Sequence, residues 1–539
     1  MIRIALRSHR WSALGVALIG FVATYAQGAA FKAAAGTTVA ERVAFGKQVT
    51  TLGPQLAYLI PLPVHPETMA GYLMWRGYGF LPVIFGFWAF MAATGAIRGD
   101  EDGGRMETWL ASSVGRVRLV GARLAAFTIA AVVAVGVTVI GGFAAMRAGG
   151  DSIGAAPLVE QSAALLGLVL VCFTVGLAVA QLVPSRRAAA AVAGVVLLAL
   201  FMIDSLSRVR TGLGGWVSVS PFHLYNQTRA IAPGGQLDGG ATIALYAIAV
   251  VLAALAAAAF VRRDLLASLF GGPRRVEPPV HVASRNPLLR APVLSALYEQ
   301  RLGLVAWILG TALVAAFMAS LTKATSDLFE STPGLHAYLQ ATGAGDARLL
   351  VLGQLWFGLG GLLIAAYTIT QVARWASEDG EGRLEMTIAQ PVRRGRVVLE
   401  RCATLAVGVA AMAAAGSLVV VALAPGQGVE LEAGRTLLAT ALLVLLGLTF
   451  GGLGALVIAR LPRAAVPVLG VLALGGYFML SLGPLFKWPE WVLDLSLFRL
   501  YGTPLTSGVY WTGLWSMLAV TVVGFGIGLV AMRFREVGR

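Results

Sequence analysis

The residues best placed to do chemistry stand in two short stretches that echo each other. In the first, Asp100, Glu101 and Asp102 precede Gly103-Gly104, Arg105 and Glu107, and Arg116, Arg118 and Arg123 follow. In the second, Glu378, Asp379 and Glu381 precede Gly382, Arg383 and Glu385, and Arg394, Arg396 and Arg401 follow. No catalytic constellation emerges from these groups, but a docking surface does. The glycines permit a tight chain reversal. A short helix beginning at the arginine would carry acids near its positive end, and arginine makes directional paired contacts that lysine reproduces poorly. A solvated loop would explain the charges without any function, yet it does not require two copies in the same Gly-Arg-x-Glu order. Coupling to a cytoplasmic partner is the expectation.

Other chemistries find no support. His9, His65, His223, His281 and His336 are scattered among segments expected on opposite sides of a membrane, so no metal cluster is expected. There is no GxxxxGK[ST] phosphate loop, so energy from ATP would have to come from another chain. Cys172 and Cys402 both lie in or beside apolar segments, where a disulfide framework has no basis.

The elements that must position the two loops are membrane helices. Hydrophobic residues make up 58% of the 539 and charged ones only 12%, about half the usual share for a soluble chain. The charges cluster and leave apolar runs of the roughly 20 residues that a helix needs to cross a bilayer. Twelve spans are expected, near residues 11–29, 79–97, 121–145, 163–183, 188–206 and 241–261, then 302–321, 350–372, 403–424, 436–459, 464–482 and 511–532. The first reads as a retained membrane helix rather than a secretory signal. Twelve crossings put both termini on one side. If that side is the cytoplasm, 28 of the Lys and Arg residues lie inward and 13 outward, while the acids divide 13 to 13. The positive-inside rule counts only Lys and Arg, so both termini are expected in the cytoplasm. The same distribution accounts for the net charge of +15 without a nucleic-acid partner.

A repeat organises these spans. Arg105, Glu107, Ala111, Val114, Arg116, Arg118 and Arg123 each have the same residue type 278 positions on, at Arg383, Glu385, Ala389, Val392, Arg394, Arg396 and Arg401. Pro184 and Pro462 share that separation, and Phe222, Leu224 and Tyr225 match Phe498, Leu500 and Tyr501 at 276. The fold expected is all-α and polytopic, with residues 1–261 and 301–539 as two parallel six-helix halves and residues 262–300 as a cytoplasmic linker with an interfacial helix near 288–300. Residues 30–78 are expected to form a long outer loop. Residues 216–225 and 491–501 read as short aromatic elements at the headgroup boundary.

The acidic-Gly-Arg-x-Glu loop with its PVRRGR continuation, the VPSRR or LPR turn, and the SPFHLY segment resemble the ABC type 2 superfamily permeases, specifically the tandem-duplicated actinobacterial exporters of polyketide antibiotics. The resemblance spans nearly the whole chain. It implies a coupling helix between the second and third spans of each half, with ATPase-coupling residues at Glu101, Arg105, Glu107 and Arg116 and at Asp379, Arg383, Glu385 and Arg394. It also implies two copies of a separate ABC ATPase subunit that binds ATP and Mg, a bacterial plasma-membrane location, and no cofactor in this chain. Ser113 stands opposite Pro391 and SPFHLY becomes SLFRLY, so the halves are not expected to be equivalent; Pro391 would stiffen the second loop.

An amphipathic small molecule, polyketide-like or drug-like, is the expected cargo. Phe87, Trp88, Gln354, Trp356 and Tyr367 are candidates for its path, with ordinary packing as the plainer reading. Asp204, Phe222, Tyr225, Phe498 and Tyr501 are candidates for an outer gate. A lipid or glycolipid translocator and an ion-coupled carrier are the alternatives.

Overall fold

The computed structural model describes residues 2–56, 60–111, 115–150, 154–183, 185–208, 214–264, 267, 290–323, 326, 347–380, 383–389, 393–482 and 488–534; the side chains of residues 51–56, 187, 347, 379, 383, 387, 463, 481 and 482 lie outside that description. Every regular element among these residues is helical. The chain forms two compact units, Met1–Val280 and His281–Arg539.

Eleven helices among the described residues are long and apolar enough to cross a membrane. In the first unit they are Ile2–Ala35, Met69–Asp102, Arg116–Gly149, Ala155–Leu182, Ala188–Ser207 and Gly239–Arg262. In the second they are Arg301–Ser320, Arg348–Glu378, Arg394–Gln427, Ala433–Arg460 and Trp511–Phe534. The expected span at 464–482 is an apolar helix, Ala465–Leu482, shorter than these.

Two features of the chain around these spans differ from expectation. The second span begins at Met69 rather than near 79, because a π-helical turn at Leu73–Tyr78 carries the helix on from Met69–Tyr72 into Leu81–Ala96. The second unit repeats the device, with a π turn at Gly353–Gly358 between Ala347–Leu352 and Leu359–Gly380. The expected loop at 30–78 also holds a helix, Val39–Leu56. Thr38 and Glu41 start it with a capping box: the Thr37 and Thr38 amides donate to Glu41 Oε2 at 2.8 and 2.9 Å, and the Glu41 amide donates to Thr38 Oγ1 at 3.2 Å.

Lipid tails are as apolar as leucine, so helices in a bilayer associate by close packing rather than by hydrophobic burial. Small residues at the crossings allow it. A Cβ on Gly28 would sit 2.2 Å from the Ala145 carbonyl oxygen, so the first and third spans touch backbone to backbone there. In the second unit a Cβ on Gly524 would lie 2.5 Å from the Gly452 backbone. Ala155–Leu182 is the most enclosed span, its ring of Phe173 stacked on Phe127 at 3.8 Å. Gly239–Arg262, Arg301–Ser320 and Trp511–Phe534 instead expose residues such as Ile243, Val250, Leu313 and Val522, as lipid-facing helices do.

In each unit, one end of the helices carries the acidic-Gly-Arg-x-Glu loop and most arginines; the other carries the short aromatic helices. We call these the basic and aromatic ends. At the basic end of the second unit, Pro292–Glu299 forms the short helix expected within 288–300, and Glu299 pairs with Arg374 at 2.8 Å.

Candidate functional site

At the basic end of the first unit, each loop residue is placed by what the ends of the spans offer it. The second span closes with the turn Arg98–Asp102, and after the glycines a new helix, Arg105–Ala111, leads to Arg116–Gly149. Gly104 adopts φ +67°, the left-handed conformation that makes this reversal favourable for glycine. Met106 is buried and pins the short helix, while Arg105 and Glu107 are exposed on it. The second unit repeats this at the offset of 278: in Arg383–Ile388, Leu384 is buried and Glu385 exposed. The side chains of Asp379 and Arg383, and residues Ser113 and Pro391, lie outside the described residues.

Three acids in a row have three different fates. Asp102 is exposed and accepts the Arg186 amide at 2.9 Å. Asp100 is buried; it accepts from Arg105 Nε at 2.9 Å and pairs with Arg123, whose guanidinium lies 4.4 Å over the Trp109 ring of the short helix. Glu101 does not face out as a docking acid should. Its carboxylate is buried between Arg98, at 2.7 Å, and Arg263. Arg98 also donates to the Ala180 and Ala267 carbonyls at 2.7 and 2.8 Å, and Arg263 donates to Gln181 Oε1 at 2.8 Å. A buried charge needs compensation, and two guanidiniums supply it. Glu101 therefore ties the second and fourth spans to the segment after the sixth.

The Asp100–Arg123 pair has a counterpart at the matching positions of the second unit, where Arg401 donates to Glu378 at 2.7 Å. The second pair is less enclosed, with side-chain exposures of 15% and 27% against 5% and 8%, and Arg401 lies over Trp375 of the neighbouring span, at 5.9 Å, not over the short helix. Of the two pairs, the first is thus the more enclosed; the expectation drawn from Pro391 falls on a residue outside the described ones. Neither Asp100, Glu378, Arg123 nor Arg401 was among the expected coupling residues, although their common offset was visible in the chain. Arg116 and Arg394 also match: Arg116 Nη1 donates to the Phe260 and Val261 carbonyls at 3.2 and 3.3 Å, and Arg394 Nη1 to the Arg533 carbonyl at 3.3 Å. Each satisfies the carbonyl end of its unit's last span, where an arginine is favoured.

At the aromatic end, the segments around SPFHLY and SLFRLY fold into Pro221–Gln227 and Leu497–Tyr501. Ser220 Oγ donates to the Leu200 carbonyl and Ser496 Oγ to the Gly476 carbonyl, both at 2.7 Å, and donors and acceptors alike are related by the repeat. The Tyr225 hydroxyl donates to the Tyr78 carbonyl at 3.0 Å and the Tyr501 hydroxyl to the Ala439 carbonyl at 3.1 Å. Burial pushes both phenols well above their ordinary range. Phe222 packs edge-on to Phe201 at 5.4 Å, and Phe498 lies 5.8 Å from Phe450. Asp204 is buried with Arg208 at 2.8 Å, Asn226 at 2.9 Å and His223 at 3.6 Å. The outer-gate candidates are thus all buried and in contact within their own units.

Within their own units, the path candidates differ in exposure. Trp88, Trp356 and Tyr367 are buried in the packing of their own units, with Trp88 against Phe127 at 4.9 Å. Phe87 and Gln354 are exposed. Among the described residues, no group of three or more His, Cys, Asp or Glu stands where it could hold a metal ion.

Both halves of the chain are similar to known proteins. Residues 5–265 match the ABC-2 family transporter proteins, and residues 289–533 match the C-terminal domain of the multidrug efflux system permease Rv1217c. The multidrug efflux system permease protein Rv1217c of Mycobacterium tuberculosis is 27% identical over 487 residues, which cover 88% of this chain and 84% of that protein. With eleven spanning helices and both halves matched, the chain is a multi-pass membrane protein and a homologue of the ABC-2 family permeases of the Rv1217c multidrug-efflux type.

Proposed function

We propose that this chain is the permease of an ATP-driven exporter, built as two parallel six-helix halves in a bacterial plasma membrane with both termini in the cytoplasm. Two copies of a separate ABC ATPase, carrying ATP and Mg, dock on the short helices Arg105–Ala111 and Arg383–Ile388. The observation that carries this reading is their common build: a buried anchor, Met106 or Leu384, beside an exposed glutamate, Glu107 or Glu385, next to an ion pair that joins the second and third spans. Such a helix is held by its own unit on one side and presents charged groups to a partner on the other. Arg105, held by Asp100, adds a guanidinium to the first surface. The cargo is an amphipathic small molecule, in keeping with the multidrug efflux named for the mycobacterial relative; a polyketide is one such molecule.

Purification with the candidate ATPase and mass measurement of the intact complex tests the assembly; one permease with two ATPase copies is expected. Glu107→Gln with Glu385→Gln should lower transport-coupled ATP hydrolysis at least fivefold while leaving membrane insertion intact. Efficient export from proteoliposomes without ATPase or ATP would overturn the proposal.

A further inference from the structure

We propose that the second unit carries a ligand site at its aromatic end, which takes the ring or branched-alkyl end of an amphipathic molecule and holds its polar end at the rim. The site is a cavity of about 190 Å³ between the π turn Gly353–Gly358 and the Leu497–Tyr501 helix. Its walls are apolar, chiefly Leu350, Phe357, Leu446, Leu480 and Phe498. A dry cavity of about 150 Å³ is known to accept benzene in another protein, so this space suits one ring or slightly more. Gln354 and Arg499 stand at its polar edge. Arg499 is held by Asp494 at 3.0 Å, and the Gln354 amide is exposed and offers both donors and an acceptor. A carbonyl, hydroxyl or carboxylate on the ligand meets its needs there.

Two glycines of this wall leave room that a third, Gly361, does not, since a Cβ there would meet Leu446 at 3.1 Å and Phe498 at 3.3 Å. At helix crossings in the unit, glycines let helices close up: a Cβ on Gly408, Gly416 or Gly447 would meet a neighbour at 2.0, 2.1 or 2.8 Å, while Gly303 and Gly310 on exposed helix faces meet nothing within 4 Å. At Gly358 a Cβ would meet nothing within 4 Å, and at Gly353 only Leu505 at 3.8 Å. These two glycines keep space open rather than bringing backbones together. The first unit has the same π turn at Leu73–Tyr78, and aligned on the two π turns, at an offset of 280 rather than the 278 of the loop, Leu73, Tyr78 and Leu81, all fully buried, stand where the second unit has Gly353, Gly358 and Gly361. Tyr78 fills its place and bonds Ser162 at 3.0 Å through its hydroxyl. Asp204, with its polar partners, stands where Leu480 lines the cavity, at the same offset that relates Phe222 to Phe498. One copy of the element is plugged and the other is open. Binding at this site is independent of ATP coupling; only its place on the cargo's route rests on the proposed function.

The test uses the full chain in liposomes and a phenyl-diazirine carboxamide as photoreactive probe, with phosphatidylglycerol carrying a diazirine in its acyl chain as a second arm. Labelling by the aryl probe should saturate, map to residues 350–361 and 498–506, and fall at least tenfold in Gly353→Leu and Gly358→Phe. Gly358→Ala, which adds one methyl to open space, should give a partial loss and guards against misfolding of the larger variants. Gly310→Leu, also in open space but away from the cavity, should change nothing. If the tagged lipid labels the same peptides and competes, the occupant is a linear acyl chain and the proposal is overturned; if it does not, the occupant is the ring-bearing small molecule. Labelling that does not saturate, or that is unchanged in the filled variants, overturns the proposal. Saturable labelling in a chain that exports without ATP would instead sink the exporter reading and leave the site.

Discussion

Replacing Asp100 with asparagine should loosen the first short helix far more than replacing Glu378 with glutamine loosens the second. Asp100 and Arg123 are almost fully enclosed, with side-chain exposures of 8% and 5%. Removing one partner of a buried pair costs about 3–5 kcal/mol. Asparagine keeps an acceptor oxygen and Arg123 keeps the Trp109 ring and Ser8, which reduces the expected loss to about 2–3 kcal/mol. Glu378 and Arg401 are 27% and 15% exposed, and a wetter pair of this kind is worth about 1 kcal/mol. Because Asp100 also holds Arg105, and Arg123 lies on Trp109, the first loss falls on the helix Arg105–Ala111 itself. Hydrogen exchange of its amides should accelerate about 30- to 150-fold in Asp100→Asn, whereas residues 383–389 should accelerate by no more than about fivefold in Glu378→Gln. A double-mutant cycle with Arg123→Gln separates the pair from the other contacts. Equal acceleration in the two loops, or none at 105–111, would show that the pair does not position the helix.

Two further outcomes bear on topology and local order. With Cys402 changed to serine and the buried Cys172 retained, a membrane-impermeant maleimide should label Val39→Cys on intact cells and reach Thr108→Cys only after permeabilisation; the reverse order would invert the chain. Acidification should unravel the start of Val39–Leu56. The Thr38 amide first, and then the Thr37 amide and Thr38 hydroxyl, hold the Glu41 carboxyl below its ordinary range. A carboxylate depressed in the folded state stabilises above its unfolded pKa, about 4.3, and loses that contribution as pH falls through the lower folded value. Amide protection at 39–45, corrected for intrinsic exchange, should drop between about pH 5 and pH 3, and Glu41→Gln should abolish the pH dependence; a drop that persists in that variant would place the effect elsewhere.

The membrane helices are legible in the chain because a bilayer tolerates only continuous helix in its core, so apolar runs long enough to cross it have one use. Helix that continues past the apolar run is not legible: Met69–Tyr78 carries Arg76 and Gly77, and it stays helical through a π turn that composition does not announce. The Val39–Leu56 helix hides for the same reason, in a polar stretch that looks like loop. The positions of the short helices Arg105–Ala111 and Arg383–Ile388 were legible from the offset of 278, and their glutamates with them. Which neighbouring acid turns inward was not. Asp100, Glu101 and Asp102 are consecutive carboxylates, and the choice among them is made by Arg123, Arg98, Arg263 and Arg186, the last two far along the chain from the acids they meet.

A repeat carries a site from one half to the other only where the partners repeat too. Asp100 with Arg123 and Glu378 with Arg401 satisfy this, so both halves form the pair. Glu101 does not: position 376, which matches its partner Arg98, is alanine. The same reasoning holds at the aromatic end. Ser220 and Ser496 find matching carbonyls at Leu200 and Gly476 and make identical bonds. Tyr78 has no phenol at Gly358, its counterpart across the π turns, and there the two copies part, one packed and one open.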